Sequence, residues 1–219
     1  MKIQRFVARD QKILDLCRGK KVLHLGCVGF TDCTHQQKVS LARQSLHAKL
    51  SEMTDCVGVD YDAATIKELQ EAEVFDNVVY GNVEHLDKLN EDLGLFDVVL
   101  AGDIIEHLSN PGMMLEGVKS YLKPEGKFIV STPNAFGIAS YLRYAAGKFK
   151  EGAEHVLCFN PITLEQILSR HGYGVDMAES CYQEVAQNQY GVAFKLFRKM
   201  LKMFPKFGGT LIYVCSVRR

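Results

Sequence analysis

The sequence alternates between short apolar runs rich in β-branched residues and longer amphipathic stretches, and this alternation restricts the possible folds more than any other feature. The apolar runs lie at residues 21–25, 56–60, 77–80, 96–101 and 127–132. Stretches with apolar residues at helical spacing separate several of them, at residues 39–53, 63–72 and 112–123. Strands that alternate with helices in this way predict a parallel sheet with both faces covered.

The last part of the chain adds two further strand candidates, at residues 173–180 and 208–219, with a helical stretch between them. A strand that follows a helix and a Gly-Gly turn is expected to close the sheet as an antiparallel strand at one edge. We therefore predict an α/β fold, a Rossmann-like three-layer sandwich. Its sheet is expected to be mostly parallel and seven-stranded, with an antiparallel C-terminal edge strand.

The composition indicates one globular domain, residues 1–219, without a strong overall charge. Hydrophobic residues make up 47% of the chain, and 26 basic side chains balance 26 acidic ones, so nucleic acid is not an expected partner. The seven cysteines are scattered and odd in number, which is typical of free thiols in a reducing compartment. With a charged N-terminal segment and no apolar run of about 18 residues, the chain is predicted to be cytoplasmic.

Residues that follow the predicted strands are the first candidates for a ligand site, because ligands of parallel sheets bind at the carboxyl ends of the strands. Gly26 follows the first strand and allows a close backbone approach. Asp60 ends the second and could accept two hydrogen bonds from a ribose diol, or cap the following helix, a role for which Asp62 is better placed. Gly26 and Asp60 lie 34 positions apart. A dinucleotide fingerprint has about 20, so a nicotinamide-dependent oxidoreductase is disfavoured.

Five blocks in a fixed order resemble the class I S-adenosylmethionine-dependent methyltransferases, and most closely the group that includes the ubiquinone-biosynthesis O-methyltransferases. The blocks read VLHLGC, VGVDYD, GNVEHL, FDVVLAGDIIEHLSNP and LKPEGKFIVSTPN. The resemblance implies an enzyme that uses S-adenosyl-L-methionine and releases S-adenosyl-L-homocysteine. The implied acceptor is a hydroxyl group of a small molecule or of a lipid- or saccharide-type compound, although N- or C-methylation stays open.

The resemblance also implies which residues hold the adenosine part of the cofactor. Asp60 would bind the ribose hydroxyls, and Tyr61 would pack near the adenine. Asn82 and Val83, after the third strand, would flank the adenine and read its edge.

The methionine part of the cofactor is expected along Gly102 and Asp103 and along the glycine turn after the first strand. The residues assigned to that turn are His24, Gly26, Cys27, Val28 and Gly29. The turn departs from the family pattern, since His24 replaces the usual acid, Val28 replaces the second glycine and Phe30 replaces the third. This departure keeps open a catalytically impaired, methyltransferase-like binding or scaffold protein.

Methyl transfer to a hydroxyl group requires a base. His107, after the fourth strand, is the first candidate and His155, in a polar stretch, is the second, because histidine titrates near neutral pH. Glu106 with these two histidines also resembles part of the metal site of small-RNA 2′-O-methyltransferases, with Asp103 as a further acid. We predict no metal, because a second late histidine is not evident.

Two segments are predicted to cover the acceptor, around residues 135–160 and 183–208. Residues 192–206 form a basic amphipathic stretch that would either lie on an anionic membrane or cover the domain as a lid. We favour the lid. The expected acceptor is a small molecule or a lipid-linked compound, and the sequence does not predict the oligomeric state.

Overall fold

The computed structural model describes residues 3–29, 33–89, 92–148, 152, 154–182 and 199–218. Within these ranges the chain forms eight strands: β1 (Phe6–Ala8), β2 (Lys21–Leu25), β3 (Asp55–Asp60), β4 (Val78–Tyr80), β5 (Phe96–Gly102), β6 (Leu122–Pro133), β7 (Tyr173–Tyr182) and β8 (Thr210–Val217). The α-helices are α1 (Arg9–Cys17), α2 (His35–Ala42), α3 (Leu46–Met53), α4 (Ala63–Glu71), α5 (Pro111–Val118), α6 (Ile138–Ala145) and α7 (Pro161–Arg170). Residues 199–203 are also helical.

The described strands form one sheet in the order β1-β7-β8-β6-β5-β2-β3-β4. The strand β8 is antiparallel to both of its neighbours, and the other neighbouring pairs are parallel. This arrangement confirms the predicted fold class, with two differences in detail. The sheet has eight strands because β1, whose three residues are too few for a periodic pattern, adds to the edge beside β7. The antiparallel strand β8 therefore lies third from that edge.

Helices cover both faces of the sheet and divide its core into three groups of buried side chains. One group lies under α1 and α3, where Ile13 and Leu50 pack on strand residues such as Leu100. The group on the opposite face lies under α5 and α7 and is the largest. A smaller group joins α2 and α4. Each fully buried aliphatic side chain contributes about 1.5–3 kcal/mol relative to an exposed one, so the sheet is held from both sides.

The single helix predicted over residues 39–53 is wrong, because the chain forms α2 and α3 there instead. Thr34 begins α2 with a capping box that pairs it with Gln37. Ser45 begins α3 by accepting a hydrogen bond from the Ala48 amide at 3.2 Å. A serine side chain competes with the helix for backbone hydrogen bonds and favours a new start. The break lets α3 pack against β3.

The predicted acceptor-covering segments are described only in part. Residues 183–198 lie outside the described residues, and with them the first part of the predicted amphipathic stretch 192–206, residues 192–198. Within the segment 135–160, helix α6 has no buried residue, and its Tyr141 and Leu142 side chains are exposed. In the part of the chain that the structure describes, no helix has both the length and the apolar character required to cross a bilayer.

Candidate functional site

The carboxyl ends of β2, β3, β5 and β6 meet at one edge of the sheet, because these strands are parallel neighbours. The edge carries Gly26 directly after β2, Asp60 as the last residue of β3, and Gly102 as the last residue of β5. Neighbouring strands lie about 4.8 Å apart. The sequence-predicted strand ends therefore fall within the span of one small ligand.

Gly26 is required at its position for two reasons. Its φ angle is +69°, which favours glycine, and a Cβ atom there would lie 2.7 Å from Cδ1 of Ile104. The Gly26 amide also donates to the Val59 carbonyl at 2.9 Å, which fixes the start of the turn. Gly29 is exposed with open space around its Cα, so no comparable packing demand acts on it.

The Asp60 carboxylate holds this turn from the neighbouring strand. Its Oδ2 accepts a hydrogen bond from the Val28 amide at 2.8 Å, and its Oδ1 accepts one from the Asp62 amide at 3.1 Å. Asp60 is 5% exposed, and burial raises the pKa of its carboxyl, while these backbone hydrogen bonds oppose the rise. A carboxylate has about four acceptor positions. Asp60 therefore keeps acceptors for the two hydroxyl groups of a diol.

Asp62 caps helix α4, as the sequence indicates, because its side chain accepts a hydrogen bond from the Thr65 amide at 3.0 Å. The cap frees Asp60 from that role. Tyr61, between the two acids, is 62% exposed and offers an open aromatic ring beside the Asp60 carboxylate. An exposed ring in this place is suited to pack against an adenine.

Asn82 and Val83 have local structural roles at the end of β4. The Asn82 side-chain oxygen accepts a hydrogen bond from the Glu84 amide at 2.9 Å and so begins a 3₁₀ segment, Val83–Lys88. Val83 is buried in the largest core group. Their proposed contacts with the adenine stay a prediction.

Three of the side chains assigned to the glycine turn point into the protein. His24 is buried, and its Nδ1 lies 3.4 Å from Nδ1 of His47 on α3. Burial lowers the pKa of His24 well below its usual range, and the neighbouring His47 adds to this. Cys27 and Val28 are buried in the group between α2 and α4. The turn therefore presents its backbone, rather than these side chains, to a ligand.

A buried arginine that the sequence analysis missed lies at the same edge. Arg9 follows β1, is 8% exposed, and places its Nη2 3.2 Å from Oδ2 of Asp103. Burial lowers the pKa of Arg9, but the carboxylates of Asp103 and Asp10 together raise it above the usual value, so the guanidinium stays charged. Only the position of Arg9 after a strand could have indicated it, and that strand was too short to predict.

Asp103 adopts an unusual backbone conformation after β5, with φ of +52°. Its amide donates to the Ser131 carbonyl at 3.0 Å, and its Oδ1 accepts a hydrogen bond from the Ser131 hydroxyl at 2.8 Å. A Cβ atom on Gly102 would lie 3.0 Å from Nη2 of Arg9, so the guanidinium packs against the glycine. The exit of β5 is therefore a fixed cluster of opposite charges.

Glu106, His107 and His155 come together on the other side of this exit. The two imidazole rings meet edge to face with their centroids 4.8 Å apart. One potential ligand atom from each of the three residues lies within 4.8 Å of the others. The two histidines that the sequence predicts as alternative bases thus belong to one site, which we call the Glu-His-His cluster.

Burial sets the charge state of the Glu-His-His cluster. Glu106 is 2% exposed, its Oε2 accepts a hydrogen bond from the Thr132 hydroxyl at 3.0 Å, and its Oε1 has no partner among the described residues. Burial, and then the nearby Asp103 carboxylate, raise the pKa of Glu106 to about 7. Burial and the His155 ring lower the pKa of His107. Neighbouring groups whose pKa values are shifted so that the neutral forms are favoured are suited to proton transfer.

The chain segment that carries His155 is attached to the sheet at two points. The Glu106 carbonyl accepts hydrogen bonds from the Val156 and Leu157 amides at 3.0 and 3.1 Å. The Phe159 carbonyl accepts one from the Ala135 amide at 2.8 Å, next to a bridge between Asn134 and Phe159. A cavity of about 20 Å³ adjoins Glu106 and His155, enough for one water molecule.

The comparison with protein families gives one match over most of the chain. Residues 2–177 match the family model described as a methyltransferase domain. The mitochondrial ubiquinone biosynthesis O-methyltransferase of Rattus norvegicus is 28% identical over 169 residues, which cover 72% of this chain and 45% of the rat protein. The matched region spans about half the length of the curated relatives.

Solved structures resemble the chain over nearly its whole length. A methyltransferase from Thermotoga maritima, described as a possible histamine N-methyltransferase, aligns with a TM-score of 0.62 at 14% identity, covering 95% of this chain and 87% of that one. Magnesium protoporphyrin IX methyltransferase from Synechocystis, solved with bound S-adenosylhomocysteine, aligns with a TM-score of 0.57 at 15% identity, covering 96% and 82%. At these identities the similarity shows a shared fold.

Proposed function

Because the chain belongs to the methyltransferase-domain family, we propose that it transfers a methyl group from S-adenosyl-L-methionine to a hydroxyl group of a small-molecule or lipid- or saccharide-type acceptor. The observation that supports this most is the position of the Glu-His-His cluster at the strand edge that also carries Asp60. One end of the edge can hold a nucleoside, and the other can accept a proton.

The residues present fit the cofactor. Asp60 keeps acceptors for the ribose diol, and Tyr61 offers a ring to the adenine. Arg9 supplies a charged guanidinium beside Gly102, opposite in sign to the cofactor carboxylate. When bound, S-adenosylmethionine supplies a methyl group on a positively charged sulfur.

The Glu-His-His cluster would remove the proton from the acceptor. His107 is partly exposed, and its lowered pKa keeps the imidazole neutral and able to accept a proton at neutral pH. Glu106, with a pKa of about 7, can hold a proton or a negative charge behind the imidazoles. His155 closes the cluster from the segment attached to Glu106.

The surroundings of the cluster favour an acceptor with an apolar part. Phe136, Tyr141 and Leu142 are exposed on and before α6, directly after the β6 end of the site. Val156 is exposed next to His155. We propose that the chain is one domain, residues 1–219, and that its segments around 135–160 and 183–208 cover this acceptor.

Calorimetric titration with S-adenosylhomocysteine, and with NAD as control, tests the proposal. Micromolar binding of S-adenosylhomocysteine without binding of NAD is expected. Absence of S-adenosylhomocysteine binding would overturn the proposal and leave a binding or scaffold protein of the same fold.

The role of His107 is tested with His107→Ala. We expect the rate with a hydroxyl acceptor to fall by about 10²–10⁴ if the imidazole is the base. His171→Ala is the control, because that ring pairs with Glu116 at 2.7 Å on the helical face of the domain. If His107→Ala turns over at nearly the wild-type rate, a group other than His107 removes the proton from the acceptor.

The Glu-His-His cluster also supports a second candidate, metal-assisted transfer to an RNA 2′-hydroxyl. A carboxylate and two imidazoles within 4.8 Å of one another could hold a divalent cation. Asp103, the further acid that this alternative requires, pairs instead with Arg9 and Ser131. Activity that a chelator abolishes and Zn²⁺ or Mn²⁺ restores would favour this candidate, and activity unaffected by the chelator would favour the base.

A further inference from the structure

We propose that Ser131 is a positioning residue for the carboxylate end of the cofactor site, and that it acts through Arg9. The inference rests on the proposed function. It concerns how the chain orients its own guanidinium before a ligand arrives.

Ser131 connects the two charged groups at the exit of β5. It lies on β6, is fully buried, and its hydroxyl oxygen accepts a hydrogen bond from Nε of Arg9 at 3.2 Å. The same hydroxyl donates its proton to Oδ1 of Asp103 at 2.8 Å. The Ser131 carbonyl also accepts the Asp103 amide at 3.0 Å. One residue therefore holds both partners of the ion pair.

Only a group that donates and accepts at once can make this connection. A guanidinium and a carboxylate can pair through several of their atoms. In this cluster Nε is taken by Ser131 and Nη1 by Asp10 at 2.8 Å, while Nη2 faces Asp103. The Ser131 hydroxyl thus selects one orientation of the guanidinium plane, the one that packs against Gly102.

Asp103 depends on Ser131 in its backbone as well. A left-handed conformation is unfavourable for aspartate, and the paired contacts to the Ser131 carbonyl and hydroxyl hold it there. Without the hydroxyl, Asp103 keeps one of these contacts and Arg9 loses its Nε partner. We expect the guanidinium then to sample other orientations, and the carboxylate-binding end of the site to lose its fixed geometry.

The test compares two ligands that differ at the relevant end. S-adenosylhomocysteine carries the amino-acid group, and 5′-methylthioadenosine has the same adenosine and thioether without it. We expect Ser131→Ala to weaken binding of S-adenosylhomocysteine about tenfold, and to leave the Kd of 5′-methylthioadenosine within about twofold. Ser131→Thr, which keeps the hydroxyl, is expected to restore the ratio of the two constants.

Two further variants separate positioning from a general loss of structure. Ser180→Ala removes another buried hydroxyl, which donates to the Pro205 carbonyl. It should not change the ratio of the Kd values for S-adenosylhomocysteine and 5′-methylthioadenosine. In an Arg9→Lys background, Ser131→Ala should change the ratio by less than about twofold, because its effect passes through the guanidinium. Thermal unfolding of each variant shows whether it is folded at the temperature of the titration.

The outcomes distinguish this inference from the proposed function. Wild-type binding of S-adenosylhomocysteine with an unchanged ratio in Ser131→Ala would overturn the inference alone. The inference would also be overturned if Ser131→Ala weakened binding of both ligands equally. A full tenfold change in the ratio of their Kd values in the Arg9→Lys background would overturn it as well. A wild-type protein that binds neither ligand would remove the proposed function, and the inference with it.

Discussion

Glu106 shows how strongly the fold can change the chemistry of a single residue. Its carboxyl is buried just after the end of β5, where one oxygen accepts a hydrogen bond from the Thr132 hydroxyl and the other has no partner among the described residues. The surrounding protein raises its pKa to about 7. The sequence shows a glutamate beside a histidine, but only the packing around the side chain determines when that glutamate is charged.

Glu106→Gln should make this burial visible in the stability of the protein. The folded state keeps the Glu106 proton between about pH 4.5 and 7, whereas the unfolded chain releases it, so wild-type stability falls as pH rises through this range. Glutamine does not ionise, so the variant lacks this pH-dependent loss of stability. Between pH 5 and pH 8, the free energy of unfolding of the variant should therefore rise relative to that of wild type by on the order of 2–3 kcal/mol.

Urea unfolding at the two pH values measures this difference. Glu125→Gln, which removes a carboxylate at an exposed position, serves as the control. An equal difference between Glu106→Gln and wild type at pH 5 and pH 8 would contradict the prediction.

Asp60→Ala should weaken binding of S-adenosylhomocysteine by about 1.5–3 kcal/mol, the range for hydrogen bonds to a charged group. The variant loses the acceptors for the ribose diol and also releases the Val28 amide that anchors the glycine turn. Calorimetric titration measures the change. Asp62→Ala is the matched control, because it removes the α4 cap at a cost of about 1 kcal/mol in stability and should leave affinity unchanged. Equal affinity of Asp60→Ala and wild type would exclude Asp60 from the site.

At the scale of helices and strands, the elements that position the site differ in how well the sequence predicts them. Strands β2, β3 and β5 follow from their apolar runs, and their ends supply Gly26 and Asp60 as expected. Strand β1 and helix α1 were not predicted, and the three residues of β1 are too few to carry a measurable period. Arg9, the first residue of α1, was therefore not identified as a site residue. The sequence grouped Glu106, His107 and His155 only through the resemblance to a metal site, whereas hydrogen bonds to the Glu106 carbonyl are what bring His155 into place.

Helix α3 introduces a buried histidine that should make the fold sensitive to acid. Burial lowers the pKa of His47 to about 4, from about 6.5, and its ring lies between His24 and Asn77. The unfolded chain therefore binds the proton more readily in this range, and the His47 contribution to stability is lost as pH falls from about 6.5 to 4. His47→Gln should reduce that loss by on the order of 2 kcal/mol at pH 5 relative to wild type.

The measurement is the free energy of unfolding of His47→Gln minus that of wild type, at pH 7 and pH 5. The difference is needed because protonation of Glu106 stabilises the protein over part of the same range and would mask the effect in the wild type alone. If the variant gains no stability relative to wild type between pH 7 and pH 5, His47 takes up its proton without disturbing α3. That result would contradict the prediction.

At the scale of the whole molecule, the sheet and its covering helices define the family but leave the acceptor open. Solved structures that share the fold are described as a magnesium protoporphyrin IX methyltransferase and as a possible histamine N-methyltransferase. The fold class and family were predicted from the order of strand ends and sequence blocks and are confirmed. The segments that we propose to cover the acceptor, around residues 135–160 and 183–208, carry no motif that identifies it.

The balanced charge of the molecule predicts weak binding to nucleic acid. With 26 basic and 26 acidic side chains, the chain has no net field to attract phosphates. Fluorescence anisotropy with a labelled single-stranded RNA at physiological salt should show a Kd weaker than about 100 μM. Micromolar binding that weakens steeply with salt would contradict this, and would raise the RNA 2′-hydroxyl to the first candidate acceptor.

The position of β8 has a consequence for synthesis of the protein on the ribosome. The edge pair β1–β7 joins the rest of the sheet only through β8, which lies between β7 and β6. The nascent chain therefore carries β1, and Arg9 after it, without a place in the sheet until residues 210–217 have left the exit tunnel. The Arg9 side chain, which precedes the other residues of the site in the sequence, reaches its position only after β8 is translated.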